Sequence, residues 1–165
     1  THDFFLRRQE QLNLEGLISS HKVEANVPFT IEPEFMALEY KAGRQFRENP
    51  VTNELEEVPD KERFCFYVAK DSYTLRQIGS AMSNCVGWGY KNAVLERRAT
   101  IVYAMFQNKY RICIEVTPDF SIRQALGPHN TQLCDDALQA FFEWCDKKDI
   151  KRPHAFGQIH VAPRG

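Results

Sequence analysis

The sequence predicts an α+β domain in which helices pack on an antiparallel β-meander of about three to five strands. Two observations carry this fold class. Residues 100–106, 110–116 and 120–126 are consecutive runs rich in β-branched and aromatic side chains, joined by Gln107-Asn108-Lys109 and Thr117-Pro118-Asp119, each short enough for a hairpin. Within the middle run, Tyr110, Ile112, Ile114 and Val116 alternate with Arg111, Cys113 and Glu115, the period of a strand with two distinct faces.

Taken in chain order, residues 3–14 read as an amphipathic helix with Phe4, Phe5 and Leu12 near one side. A second helix opens at Ile31-Glu32-Pro33-Glu34, where proline and acids suit a first turn, and Phe35, Leu38, Glu39, Ala42 and Phe46 follow at three- and four-residue spacing. Residues 47–63 are polar and read as a long connection. Residues 64–69 (FCFYVA) form an apolar strand, and Asp71 or Ser72 caps a helix to about Asn84 with Leu75, Ile78, Gly79 and Met82 on one stripe. Gly87-Trp88-Gly89 ends it, and residues 90–97 give another helical turn or two. After the meander, Asn130 or Thr131 caps a helix over residues 133–147, whose apolar face carries Ala137, Leu138, Phe141, Trp144 and Cys145. Residues 156–161 read as a last short strand. The organisation is a helical N-terminal region, 1–63, and an α+β core, 64–165, expected to form one compact unit.

Composition bounds the function classes. The 165 residues are 43% hydrophobic and 26% charged, ordinary for a globular chain. No apolar run reaches the roughly 20 residues needed to span a bilayer, and the opening octapeptide reads as neither a signal nor a transit peptide, so a cytoplasmic protein without a membrane partner is expected. The chain does not begin with Met, which suggests a portion of something longer. Five widely spaced cysteines form no Cys-x-x-Cys pair and read as reduced thiols; neither metal nor cofactor is expected. The net charge of −1 is unevenly spread. Residues 1–74 hold nine basic and fourteen acidic side chains, whereas residues 75–125 hold seven basic and three acidic, a block able to meet phosphates.

Candidate chemistry gathers at two polar segments, 83–90 and 123–130. A nucleophilic Cys85 at a helix C-terminus would need a nearby cation, Arg123 or a protonated His129, because the dipole there disfavours thiolate. Gln124 sits within a strand, where an inward-facing carboxamide must find partners. Asn130 and the helix start offer unpaired backbone amides suited to phosphate or carboxylate. Trp88, Tyr90, Tyr103 and Tyr110, with interleaved Arg and Lys, suit base stacking. No phosphate-binding glycine loop, His-Glu-x-x-His or Gly-x-Ser-x-Gly occurs.

The order Cys85-Val86, Tyr90, strands from Thr100 and Tyr110, then Gln124, Gly127 and Asn130 resembles the PcfJ-like family of bacterial conjugative plasmids, phages and other mobile elements, over residues 75–147. The family commonly carries His before the Cys, where this chain has Asn84, so a His-Cys pair is not carried over. The resemblance implies an accessory domain of a mobile element and no particular reaction. Two functions are expected from these residues. One is binding of nucleic acid or a protein partner through Tyr90, Arg123, Gln124 and Asn130 at one end of the sheet. The other is a thiol-dependent hydrolase or transferase with Cys85 as nucleophile, His129 as base, and Gln124 or Asn130 holding an oxyanion.

Overall fold

The computed structural model describes residues 25–84 and 89–152. The expected helix at 3–14, the Cys85-to-Trp88 segment and the expected strand at 156–161 lie outside them. The order of elements is α1 (Pro33–Met36), β1 (Tyr40–Lys41), β2 (Phe46–Glu48), β3 (Leu55–Glu57), a 3-10 turn (Asp60–Glu62), β4 (Cys65–Val68), α2 (Ser72–Met82), α3 (Lys91–Leu95), β5 (Thr100–Phe106), β6 (Lys109–Val116), β7 (Ile122–Leu126), a 3-10 turn (Pro128–Asn130) and α4 (Asp135–Lys147). Strands β1-β4-β5-β6-β7 form one sheet in that order, every pair antiparallel. The α+β class and the meander are as the sequence predicts.

Alternation sends Val102 and Ala104 to one face and Ile101 and Tyr103 to the other. The first face, with Phe66, Val68, Ile112, Ile114, Ile122 and Ala125, packs on α4 through Ala137, Phe141, Trp144 and Cys145. The second is partly covered by α2 and α3, where Leu75, Ile78, Met82 and Val94 meet Ile101 and Cys113. Helices thus lie on both faces of the sheet. Asp71 caps α2 by accepting from the Thr74 amide at 2.8 Å. Burial pushes its carboxyl up, but the Thr74 hydroxyl and amide outweigh that and hold it below its ordinary value.

Three expectations are corrected. The helix from Ile31 stops after one turn, because Glu39 turns back to accept the Val68 amide at 2.9 Å and Tyr40–Lys41 joins β4 as an edge strand. The polar stretch 47–63 is not an open loop: its residues form most of the β2–β3 hairpin and a 3-10 turn. The hairpin is held by polar chemistry that apolar periodicity does not reveal. Arg47 faces Glu56 across it with Nε···Oε2 at 2.7 Å, and the Asn49 carboxamide oxygen accepts from the Val51 and Thr52 amides. Finally, α4 begins at Asp135 with Cys134 as its N-cap, and neither Asn130 nor Thr131 caps it; Asn130 lies in the preceding 3-10 turn and Thr131 closes that turn.

Both hairpin turns of the meander use left-handed residues. Gln107 and Asn108, at φ 54° and 60°, make the two-residue mirror-image turn that matches strand twist. Phe120, at φ 66°, is a bulky residue in a region that disfavours it, and its ring stacks on Phe35 at a centroid separation of 4.3 Å.

Alkaline pH probes this packing. Burial pushes the Tyr67 and Tyr103 phenols up to about 12, and burial together with the Glu143 hydrogen bond does the same for Tyr40. These groups hold protons more tightly folded than unfolded. Their contribution is complete below the unfolded value near 10 and is lost as pH rises through about 12. Urea unfolding should therefore show stability falling over that interval, with a shallower fall in Tyr67→Phe/Tyr103→Phe. A flat profile would contradict the assigned burial.

Candidate functional site

At one end of the sheet's second face, Glu115 projects from β6 among apolar neighbours. It is 5% exposed, so its charge needs partners. Among the described residues it has two: the Tyr90 hydroxyl donates to Oε1 at 2.7 Å, and Arg123 Nε lies 3.3 Å from Oε2. Tyr90 enters from the start of α3, so the carboxylate fastens that helix to β6.

Arg123 reaches Glu115 because β7 is irregular. Glu115 pairs with Gln124 and Val116 with Ile122, leaving Arg123 as the extra residue of a β-bulge. The bulge lets Arg123 and Gln124 both stand beside Glu115 while Ile122 and Ala125 keep to the core. A second bulge, at Arg111 in β6, corrects the expected alternation: Tyr110 lies on the second face with Tyr103, while Ile112, Ile114 and Val116 lie on the first. Arg111 lies over the Phe64 and Phe106 rings, 5.1 and 5.6 Å from their centroids, and bonds Asp136 at 3.0 Å.

Two more guanidiniums flank the carboxylate. The end of α3 is closed by the Arg98 amide donating to the Ala93 carbonyl and the Arg97 amide to that of Val94, the bonds of a Schellman motif. Arg97 occupies its left-handed position at φ 59°, where glycine is the usual residue. This turn delivers Arg97 and Arg98 to an open cleft of about 600 Å³ that also contains Gly89, Tyr90, Glu115 and Arg123. The three arginine side chains are 56%, 63% and 64% exposed, in sequence order. Arg97 reaches Glu32 at 2.6 Å and Arg98 reaches Glu96 at 2.9 Å, exposed pairs worth at most about 1 kcal/mol that another anion can displace.

Of the residues expected at the site, the structure gathers Tyr90, Arg123 and Gln124 around Glu115. Gln124 is exposed, and its carboxamide hydrogen-bonds no described residue. Asn130 and His129 lie beyond the opposite end of β7, exposed and at φ 58° and 60°. Their turn is closed internally: the Gly127 amide donates to the Thr131 carbonyl at 2.7 Å, and a Cβ at Gly127 would lie 3.2 Å from Thr131 Oγ1. Cys85 lies outside the described residues. Of the aromatic set, Tyr103 and Tyr110 stand together elsewhere on the second face, apart from Tyr90. Sequence reasoning missed Glu115 as the centre of the site; an acid amid the apolar run Ile112–Val116 was the available signal.

No group of His, Cys, Asp and Glu among the described residues is arranged to hold a metal ion. No helix among them is long and apolar enough to cross a membrane. Comparison with protein-family models, curated proteins and solved structures finds no match to this chain. The fold defines its class as an α+β domain with an antiparallel sheet.

Proposed function

We propose that the chain is a nucleic-acid-binding domain whose arginine cleft takes the phosphate backbone of a single strand. The observation that carries this reading is the convergence of Arg97, Arg98 and Arg123 on one open cleft, with Tyr90 and Glu115 fixing its floor. Guanidinium groups present forked donors suited to phosphate oxygens, and Gln124 adds a carboxamide at the same edge. Glu115 is not a repulsive rim charge: it is buried, and it orients Tyr90 and Arg123. In this reading the domain serves a bacterial mobile element in the cytoplasm, as the resemblance of residues 75–147 to PcfJ-like proteins implies.

The test is anisotropy of a labelled single-stranded 20-mer across a salt series. Affinity should fall steeply as salt rises, since each neutralised phosphate contributes about −0.7 to the slope of log K against log salt. If no binding occurs even at the lowest salt, the cleft's partner is not a nucleic acid, and an acidic protein surface takes its place.

A further inference from the structure

A second concavity opens on the same sheet face, at the end opposite the arginine cleft. Its floor is a row of phenol rings on three adjacent strands: Tyr67 of β4 pairs with Tyr103 of β5, and Tyr110 of β6 follows diagonally. Neighbouring ring centroids are 5.6 Å apart in both steps, at 38° and 44°, giving a shallow aromatic trough. Met105 flanks the rings, a thioether of the kind that adapts to aromatic surfaces. The rim is formed by the mirror-image turn, whose Gln107 and Asn108 each offer a donor and an acceptor on one carboxamide, and by Asp60, paired with Lys41, and Lys61 of the 3-10 turn. The Tyr103 and Tyr110 hydroxyls hydrogen-bond no other described residue.

We propose that this trough binds one planar heteroaromatic ring of nucleobase size, stacked on Tyr103 and Tyr110 and read at its edge by Gln107 and Asn108. The cavity is about 280 Å³, just below the roughly 300–1,000 Å³ of pockets that enclose drug-sized ligands, so it suits one ring system and not an extended cofactor. Aromatic floors accept any base through its π-face, while carboxamides match the mixed donors and acceptors of base edges. The ring comes either from a free nucleoside or from an unpaired nucleotide of a strand. The second source rests on the function proposed above; the first does not.

The experiment titrates the intact chain, followed by amide NMR, with adenosine, with uridine and with a single-stranded 10-mer. Each is repeated with Tyr110→Leu, Gln107→Ala and Arg123→Ala, after thermal melts have established that the variants fold. Nucleosides should shift amides of Tyr103, Gln107 and Tyr110, and Tyr110→Leu should weaken them about tenfold or more. Gln107→Ala, which leaves the floor intact, should weaken them less and alter the preference between the two nucleosides. Arg123→Ala should weaken only the 10-mer. Nucleoside binding without 10-mer binding would uphold the trough and defeat the proposed function. Binding of the 10-mer with no shift at Tyr103, Gln107 and Tyr110, and no nucleoside binding, would uphold the function and overturn the trough.

Discussion

Replacing Trp144 by alanine is expected to lower the unfolding free energy by about 3–5 kcal/mol, enough to remove most of the stability of an ordinary domain. Trp144 is fully buried at the centre of α4's contact with the sheet. Its ring stacks against Phe66 of β4 at 5.4 Å and lies 6.0 Å from Phe141. Its indole nitrogen donates to the Leu38 carbonyl at 2.7 Å, tying the segment before β1 to the helix. Trp144→Phe separates the two contributions. It keeps much of the apolar contact but leaves a buried carbonyl without its donor, a loss of about 1–3 kcal/mol. Chemical denaturation of both variants checks this; a Trp144→Ala loss under about 1 kcal/mol would place the core elsewhere.

Replacing Arg97, Arg98 and Arg123 together by alanine should reduce the magnitude of the salt slope of single-strand binding by about 2, near three phosphates at about 0.7 each. Affinity at low salt should fall by at least about tenfold. Arg97 alone gives a sharper comparison. It holds a left-handed position, where strain of roughly 1 kcal/mol or more is expected for a residue with a Cβ, so Arg97→Gly should leave stability unchanged or slightly raised. Binding should nevertheless weaken. A residue whose removal improves the fold and harms binding is retained for the cleft, whereas loss of both together would make Arg97 a structural residue held by Glu32. Denaturation midpoints and anisotropy on the same preparations distinguish the two.

How much of this was legible in the sequence depends on the physics of each element. Strand β5 was readable as an unbroken run of β-branched and aromatic residues, β6 from the alternation of Ile112, Ile114 and Val116, and α2 from its apolar stripe, with turn or cap residues at their ends, as Asp71 is for α2. The β2–β3 hairpin was not, since Arg47, Asn49 and Glu56 hold it by polar contacts that leave no apolar stripe. The bulges at Arg111 and Arg123 were also invisible: an extra residue in a ladder appears only once the partner's register is known. That is why Tyr90, Arg123 and Gln124 could be singled out as residue types while Glu115, the group that organises them, passed as one member of an alternating face. Tyr67 was hidden similarly, inside a run that reads as uninterrupted core.

The most direct trial of the arginine cleft is zero-length photocrosslinking of a single-stranded oligonucleotide to the intact chain, with the attached peptides identified by mass spectrometry. Adducts should concentrate on the segments holding Tyr90 and residues 97–98 and on the β7 segment holding Arg123, with a further adduct at Tyr103 or Tyr110 only where the strand also enters the tyrosine trough. Adducts spread evenly over lysine- and arginine-bearing surfaces, or confined to α4, would contradict the assignment of the cleft as the strand's path.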